Sequence, residues 1–258
     1  MSKLDKLSGL KGKKILITGA SGYLGQEIVS TLYDLDVLLY VTDVSKEALS
    51  VFNKDKYSKI IKIPCDLSKE LERKKFIKKI NSLDVLINNA AYVGTSNLKG
   101  WNTKFTKQSL ETWRKAMEVN LTAPFHLIRD FSNILNKSKN PSIINISSIY
   151  GFVAPDYEIY KNTKINNIAA YATSKAGINQ LSKWFASTLG PKIRVNTISI
   201  GGIYRKQNKK FIKKYETKTF LKRMAKEKDV MGGIIFFASD LSNYITGQNL
   251  FIDGGFTI

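Results

Sequence analysis

From Lys13 to Asp253 short apolar runs rich in isoleucine and valine alternate with amphipathic stretches, and this alternation constrains the chain more than any other feature. A strand covered on both faces reads as a continuous apolar run, and parallel strands need crossover helices between them. The pattern therefore predicts an α/β fold, a doubly wound parallel sheet of about seven strands with helices on both faces. Strands are expected near residues 14–18, 37–41, 60–64, 85–88, 143–147, 194–198 and 250–252. Helices are expected over 24–32, 46–52, 70–80, 110–135, 171–189 and 229–238.

No linker, repeat or low-complexity tract interrupts the pattern, so residues 1–258 read as a single domain. Two segments fit neither periodicity: 151–167, with prolines, acidic residues and asparagines, and the lysine-rich 201–224, which could be helical in part. Long irregular segments in a compact domain are usually functional loops, so the first reads as an insertion and the second as a substrate loop. Cys65 is the only cysteine, Met1 is followed by polar, basic sequence, and no apolar run approaches the roughly 18 residues of a membrane span. The expectation is a cytoplasmic protein without membrane association. The formal net charge of +20 invites a nucleic-acid partner, but the excess is lysine spread along the chain, without stacking aromatics or a recognition motif. No nucleic-acid partner is expected.

The first strand runs into Thr18-Gly19-Ala20-Ser21-Gly22-Tyr23-Leu24-Gly25 and then an amphipathic helix, the context in which a glycine fingerprint points to a dinucleotide and a Rossmann-type sheet. Gly19 permits the tight turn, Gly22 lets backbone approach a pyrophosphate, and Gly25 lets helix and strand pack closely, with the helix N-terminus facing the phosphates. Asp43 follows the second strand, 24 residues after Gly19. It could accept hydrogen bonds from both adenosine-ribose hydroxyls and repel a 2′-phosphate, favouring NAD(H) over NADP(H), or it could merely cap the next helix. Asp66 and Leu67 after the third strand, and Asn89, Ala90 and Ala91 after the fourth, stand at strand ends that would share the same crevice.

Tyr171 and Lys175 are four apart at the start of a helix and so share a face. A tyrosine is a poor base with a pKa of about 10, and a neighbouring ammonium would lower it. Alone, the pair could be surface decoration. Ser148 closes the fifth strand, where its hydroxyl would emerge beside the nucleotide. Asn120, a polar residue in an apolar stripe, needs a buried partner and could be a satisfied core asparagine.

Together with Arg194-Val195-Asn196 and the ending from Ile245 to Gly255, these residues resemble the short-chain dehydrogenases/reductases, in the single-domain branch, over nearly the whole chain. The resemblance implies that Tyr171 transfers the proton, Lys175 lowers its pKa and holds the nicotinamide ribose, Ser148 steadies the developing oxyanion, and Asn120 organises a proton relay. It also implies cofactor contacts at Gly201 and Ile203, no metal, and a homodimer or homotetramer, the tetramer preferred, built through the long helices. The sequence departs from the family pattern in three places. The Gly-x-x-Gly-x-x-Gly spacing is that of longer members, Ile200-Gly201 stands where the family has Pro-Gly, and the 23 positions between Ser148 and Tyr171 exceed the usual spacing. The resulting insertion resembles one in short-chain dehydrogenases found with bacterial flagellin-modification and surface-sugar genes, through Ile149-Tyr150-Gly151, Ala154-Pro155-Asp156 and Tyr157-Glu158-Ile159-Tyr160. That implies a sugar or nucleotide sugar as the small-molecule substrate, with Asp156, Tyr157, Glu158 and Asn162 as candidate partners for hydroxyls. The basic run from Lys206 to Arg223 could attract substrate phosphates or be a solvated helix. Two other readings stay open: a 3-oxoacyl-(acyl-carrier-protein) reductase, and a non-catalytic dinucleotide-binding scaffold.

Overall fold

The computed structural model describes residues 7–53, 55–94, 96–163 and 165–258, so the start of the chain and one residue of the expected insertion, Lys164, lie outside the described residues. Seven parallel strands form one sheet in the order β3-β2-β1-β4-β5-β6-β7. They are β1 (Lys14–Thr18), β2 (Leu38–Thr42), β3 (Ile61–Lys62), β4 (Val85–Asn88), β5 (Ser142–Ser148), β6 (Arg194–Ile200) and β7 (Asn249–Ile252). The helices are α1 (Tyr23–Tyr33), α2 (Glu70–Ile77), α3 (Leu110–Met117), α4 (Ala123–Leu135), α5 (Ala169–Leu189), α6 (Lys209–Lys218) and α7 (Glu227–Ala238).

The apolar runs divide by parity, as a pleated strand buried on both sides must. Ile15, Ile17, Val85, Ile87, Ile144, Ile146 and Ile198 pack with α1 and α7 on one face. Leu16, Leu86, Ile143 and Val195 pack with α2, α4 and α5 on the other. The order reverses direction between β1 and β4, and a crevice opens at the carboxyl ends of strands where connections diverge in this way.

Two expected elements differ. The helix expected over 46–52 is a 3-10 turn, Ala48–Phe52, too short to bury a stripe of its own. The expected helix over 110–135 is broken by a π turn, Glu118–Thr122, between α3 and α4. Pro124 explains the break, since it offers no N–H to the carbonyl of Asn120 four residues back. Buried Arg73 of α2 fastens this turn, donating to His126 Nδ1 at 2.9 Å and pairing with Glu118 at 2.7 Å. The lysine-rich segment 201–224, read as partly helical, contains a regular helix, α6, anchored by buried Phe211 and Tyr215.

Candidate active site

A cavity of about 870 Å³ lies along the carboxyl edge of the sheet, bounded by the glycine loop, Asp43, Asp66, Leu67, Asn89 to Val93, Ser148, Tyr171, Lys175 and Gly201 to Ile203. The two ends expected from sequence are thus brought together in one space. Gly19 has φ +62°, and a Cβ there would stand 2.7 Å from the Ala90 Cα, so only glycine fits. At Gly22 a Cβ would meet nothing nearer than the Gly19 carbonyl at 3.4 Å. The fold therefore leaves room for a Cβ at Gly22, which lines the cavity. Gly22 caps α1 without a side-chain bond, leaving the first-turn N–H groups facing the cavity.

Asp43 braces the loop: its carboxylate accepts from Ser21 N at 2.9 Å, from Ser21 Oγ at 2.6 Å and from Val44 N at 2.8 Å. Asn89 is a staple of the same kind, donating to the carbonyls of Thr18 and Gly19, both at 3.0 Å, while Thr18 Oγ1 accepts from the N–H groups of Asn89 and Ala90. Asp66 accepts from Ser68 N and Oγ at 3.0 and 2.7 Å, holding the turn that presents Leu67. Burial pushes the Cys65 thiol up to about 12, so this cavity-lining cysteine is not a nucleophile near neutral pH.

At the other end, Lys175 is buried and its ammonium donates to the Ile146 carbonyl at 2.7 Å. Burial lowers its pKa to about 8. It stands 5.8 Å from the Tyr171 ring centroid. The Tyr171 pKa is raised by burial, against which the Ser148 hydroxyl favours the phenolate. Lowering of the Tyr171 pKa by Lys175, expected from their spacing, is therefore not what the structure has: the ammonium is turned to a carbonyl, and desolvation of the phenol outweighs it. Ser148 Oγ accepts from Tyr150 N at 3.2 Å, leaving its own proton free to donate toward Tyr171 and the cavity. Asn120, in the π turn, accepts from Tyr92 N at 2.8 Å and donates to Tyr92 O at 3.1 Å and Ser174 Oγ at 3.0 Å. Its side chain thereby ties Tyr92, in the loop after β4, to Ser174 of α5, beside Tyr171 and Lys175.

The family described as enoyl-(acyl carrier protein) reductase matches residues 19–257. The 3-oxoacyl-(acyl-carrier-protein) reductase FabG of Thermotoga maritima is 31% identical, over 96% of this chain and 99% of that protein. The chain belongs to the short-chain dehydrogenase/reductase family. It is an oxidoreductase of the kind that acts on alcohols and carbonyls. It is similar to the post-translational flagellin modification protein A of Campylobacter coli, 29% identical over 95% of this chain and 98% of that one. Among solved structures it is similar to a short chain dehydrogenase from Leptospira borgpetersenii with bound NAD+, with a TM-score of 0.86, 33% identity, and 100% and 97% of the two chains covered.

The substrate end of this short-chain dehydrogenase differs from expectation. Asp156 does not face the cavity; it pairs with Lys218 of α6 at 2.8 Å. Lys214 of α6 donates to the Glu158 and Lys161 carbonyls at 2.7 and 3.1 Å, so these lysines hold the insertion instead of offering charge to phosphates. Tyr157 is exposed, Glu158 pairs with Lys161, and Asn162 takes a left-handed turn at φ +63°. The cavity is lined instead by Tyr150, Tyr160, Ile165, Asn166, Asn167, Phe211 and Tyr215. Sequence reasoning also missed Arg205, whose guanidinium stacks on the Tyr23 ring at 4.6 Å and pairs with Glu227. The only signals were the aromatic spacing in the insertion and one arginine among lysines. Among the described residues no helix is long and apolar enough to cross a membrane, and no cluster of His, Cys, Asp or Glu could hold a metal.

Proposed function

We propose that the chain is an NAD(H)-dependent oxidoreductase interconverting a secondary alcohol and a carbonyl on a sugar or nucleotide sugar. The observation that carries this is the convergence, in one cavity, of an uncapped glycine loop beside Asp43 with Ser148, Tyr171 and Lys175. The residues suit a dinucleotide. Gly19, Ser21, Gly22, Tyr23, Leu24 and Gly25 would take the pyrophosphate, Asp43 the adenosine ribose, and Asp66, Leu67, Ala90 and Ala91 the adenine side. Gly201 and Ile203 would border the nicotinamide. A carboxylate at Asp43, with neither Val44 nor Leu67 bringing a positive charge, disfavours a 2′-phosphate. When bound, the cofactor supplies the carbon that accepts or gives the hydride.

The chain's own residues manage the oxygen. In the oxidative direction Tyr171 takes the proton from the substrate hydroxyl, and in the reductive direction it returns it. Ser148 donates to the same oxygen and stabilises its developing charge. Lys175 holds positive charge beneath the phenol and would hold the ribose, while Asn120 keeps the loop after β4 in register through Tyr92. Two long helices, α4 and α5, leave Phe125 and Trp184 exposed beside Leu121 and Leu181, which suits assembly as a homodimer or homotetramer.

A thermal-shift titration with NAD+, NADH, NADP+ and NADPH tests the cofactor assignment, because a ligand of the folded state alone raises Tm. NAD+ or NADH should shift Tm at concentrations where the phosphorylated pair does not, and Asp43→Ser should narrow that gap. A larger shift with NADPH, together with reduction of an acetoacetyl thioester, would place the protein with the acyl-carrier reductases instead.

A further inference from the structure

Four phenols, Tyr150, Tyr160, Tyr171 and Tyr215, stand round the substrate end of the cavity. Tyr171 has its role in proton transfer, and the Tyr215 hydroxyl accepts from Gly202 N and stacks its ring on Phe256 at 4.7 Å. Tyr150 and Tyr160 have no part in that machinery, yet their hydroxyls are hydrogen-bonded to each other at 2.5 Å. Burying two phenols together is costly unless each proton has a destination.

The pair is tied to a third side chain. Burial raises the Tyr160 pKa, and side-chain hydrogen bonds with Tyr150 and with Asn167 act against that rise, so the Tyr160 oxygen is engaged from two sides. In the geometry of the pair the Tyr160 hydroxyl is the donor and the Tyr150 oxygen the acceptor. Tyr150 is then an acceptor from Tyr160, and its own proton has no acceptor among the described residues and faces the cavity. Ser148 likewise has its oxygen engaged by the Tyr150 N–H, and its proton is directed to the Tyr171 oxygen. Both donors sit on one short turn, Ile149–Gly151, and its approach from β5. A Cβ at Gly151 would stand 2.6 Å from the Lys175 carbonyl carbon, so the turn is packed hard against α5 and carries both donors as one rigid piece.

We propose that Tyr150 determines substrate specificity: its hydroxyl donates to a second substrate oxygen on the carbon next to the reacting carbinol, selecting sugar-like vicinal diols over simple secondary alcohols. The insertion supplies Tyr160 and Asn167, which aim that donor, and α6 clamps the insertion through Lys214, Lys218 and the contact of Tyr160 with Phe211, 5.5 Å between centroids. The inference rests on the reading of Tyr171 and Ser148 as the groups that hold the reacting oxygen.

The test is NAD+-dependent oxidation of cis-cyclohexane-1,2-diol and cyclohexanol by the wild type, Tyr150→Phe, Tyr160→Phe and Tyr171→Phe, with the NADH thermal shift of each. The wild type should favour the diol by about tenfold or more in kcat/KM, the value of one hydrogen bond to a site that rejects its absence. Tyr150→Phe should bring the ratio near one, chiefly through a higher KM for the diol, with the NADH shift kept; Tyr160→Phe should lower it partway. Equal losses on both substrates in Tyr150→Phe, no preference in the wild type, or turnover of neither substrate despite an NADH shift would overturn the inference. Inactivity of Tyr171→Phe on both substrates, beside an unchanged ratio in Tyr150→Phe, would leave the acid/base reading standing and remove this one alone. Absence of any nucleotide shift in the wild type would remove both.

Discussion

The nucleotide end of the cavity is built from small residues and backbone, whereas the substrate end is built from large aromatic side chains carried by two segments that pack on each other. At the first end Gly19, Gly22 and Gly25 shape a turn within one strand-loop-helix unit, and Asp43 and Asn89 tie that turn to adjacent strands. At the second end Ile159, Tyr160, Phe211, Tyr215 and Met224 form a cluster of their own, separate from the two cores that flank the sheet. The first design fixes a shape that any chain with this sheet can present to a dinucleotide. The second can change with few consequences for the sheet, which suits it to choosing a substrate.

The largest effect should come where the two ends meet. Tyr171→Phe removes the only group proposed to move the proton, and general acid/base groups contribute about 10²- to 10⁴-fold. The variant should lose that much in kcat while its NADH thermal shift stays within error of the wild type. A variant that loses both would mean that Tyr171 belongs to the nucleotide end as much as to the chemistry. That result would erase the division drawn between them.

A pair of alanine substitutions probes the nucleotide end alone. In Gly25→Ala the new Cβ would overlap the carbonyls of Gly19 and Ala20, so the helix must move and Tm should fall clearly. In Gly22→Ala the Cβ meets only the Gly19 carbonyl, at 3.4 Å, so Tm should stay near that of the wild type while affinity for NADH drops by about tenfold or more, because a pyrophosphate needs that space. Differential scanning fluorimetry with and without NADH reads both. Equal behaviour of the two variants would show that the loop's glycines serve the fold alone.

The same division explains what the sequence disclosed. The strands were legible because a two-sided apolar run has few alternatives, and the glycine loop, Ser148 and the Tyr171/Lys175 pair were legible because each is fixed by a strand end or by one helical turn. The break at 118–122 was written in Pro124 but masked by the apolar stripe that continues across it. The substrate end was misread in its details. Asp156 and Glu158 were expected as hydroxyl partners from the resemblance of the insertion, yet their surroundings depend on α6, more than fifty residues later, whose lysines claim Asp156 and the carbonyls of Glu158 and Lys161. Non-local pairing of this sort leaves no local pattern. The rise in the Tyr171 pKa was not legible for a related reason, since helical spacing shows that Lys175 is near but neither that burial acts on the phenol nor that the ammonium donates to the Ile146 carbonyl.

The smallest effect expected is at the latch between the insertion and α6. Lys218, followed by the Glu158 N–H, holds the Asp156 carboxyl below its ordinary range, so the carboxylate stays charged above the pKa of free aspartate and its side of the pair is lost as pH falls through the lowered value. Between pH 6 and pH 9 the latch should therefore be constant on the approximate scale of carboxylate titration. The pair is largely exposed, and such pairs contribute little, so Asp156→Asn should leave Tm almost unchanged and raise KM for the diol by about two- to threefold with kcat retained. Lys214 continues to hold the Glu158 and Lys161 carbonyls in that variant, which is why the effect should be partial. Salt supplies the control: raising ionic strength screens an exposed pair and should move the wild-type KM toward that of Asp156→Asn, while the variant's own KM changes less. If the two respond alike to salt, the clamp on the insertion is its aromatic packing, Tyr160 against Phe211, and the charges only decorate it.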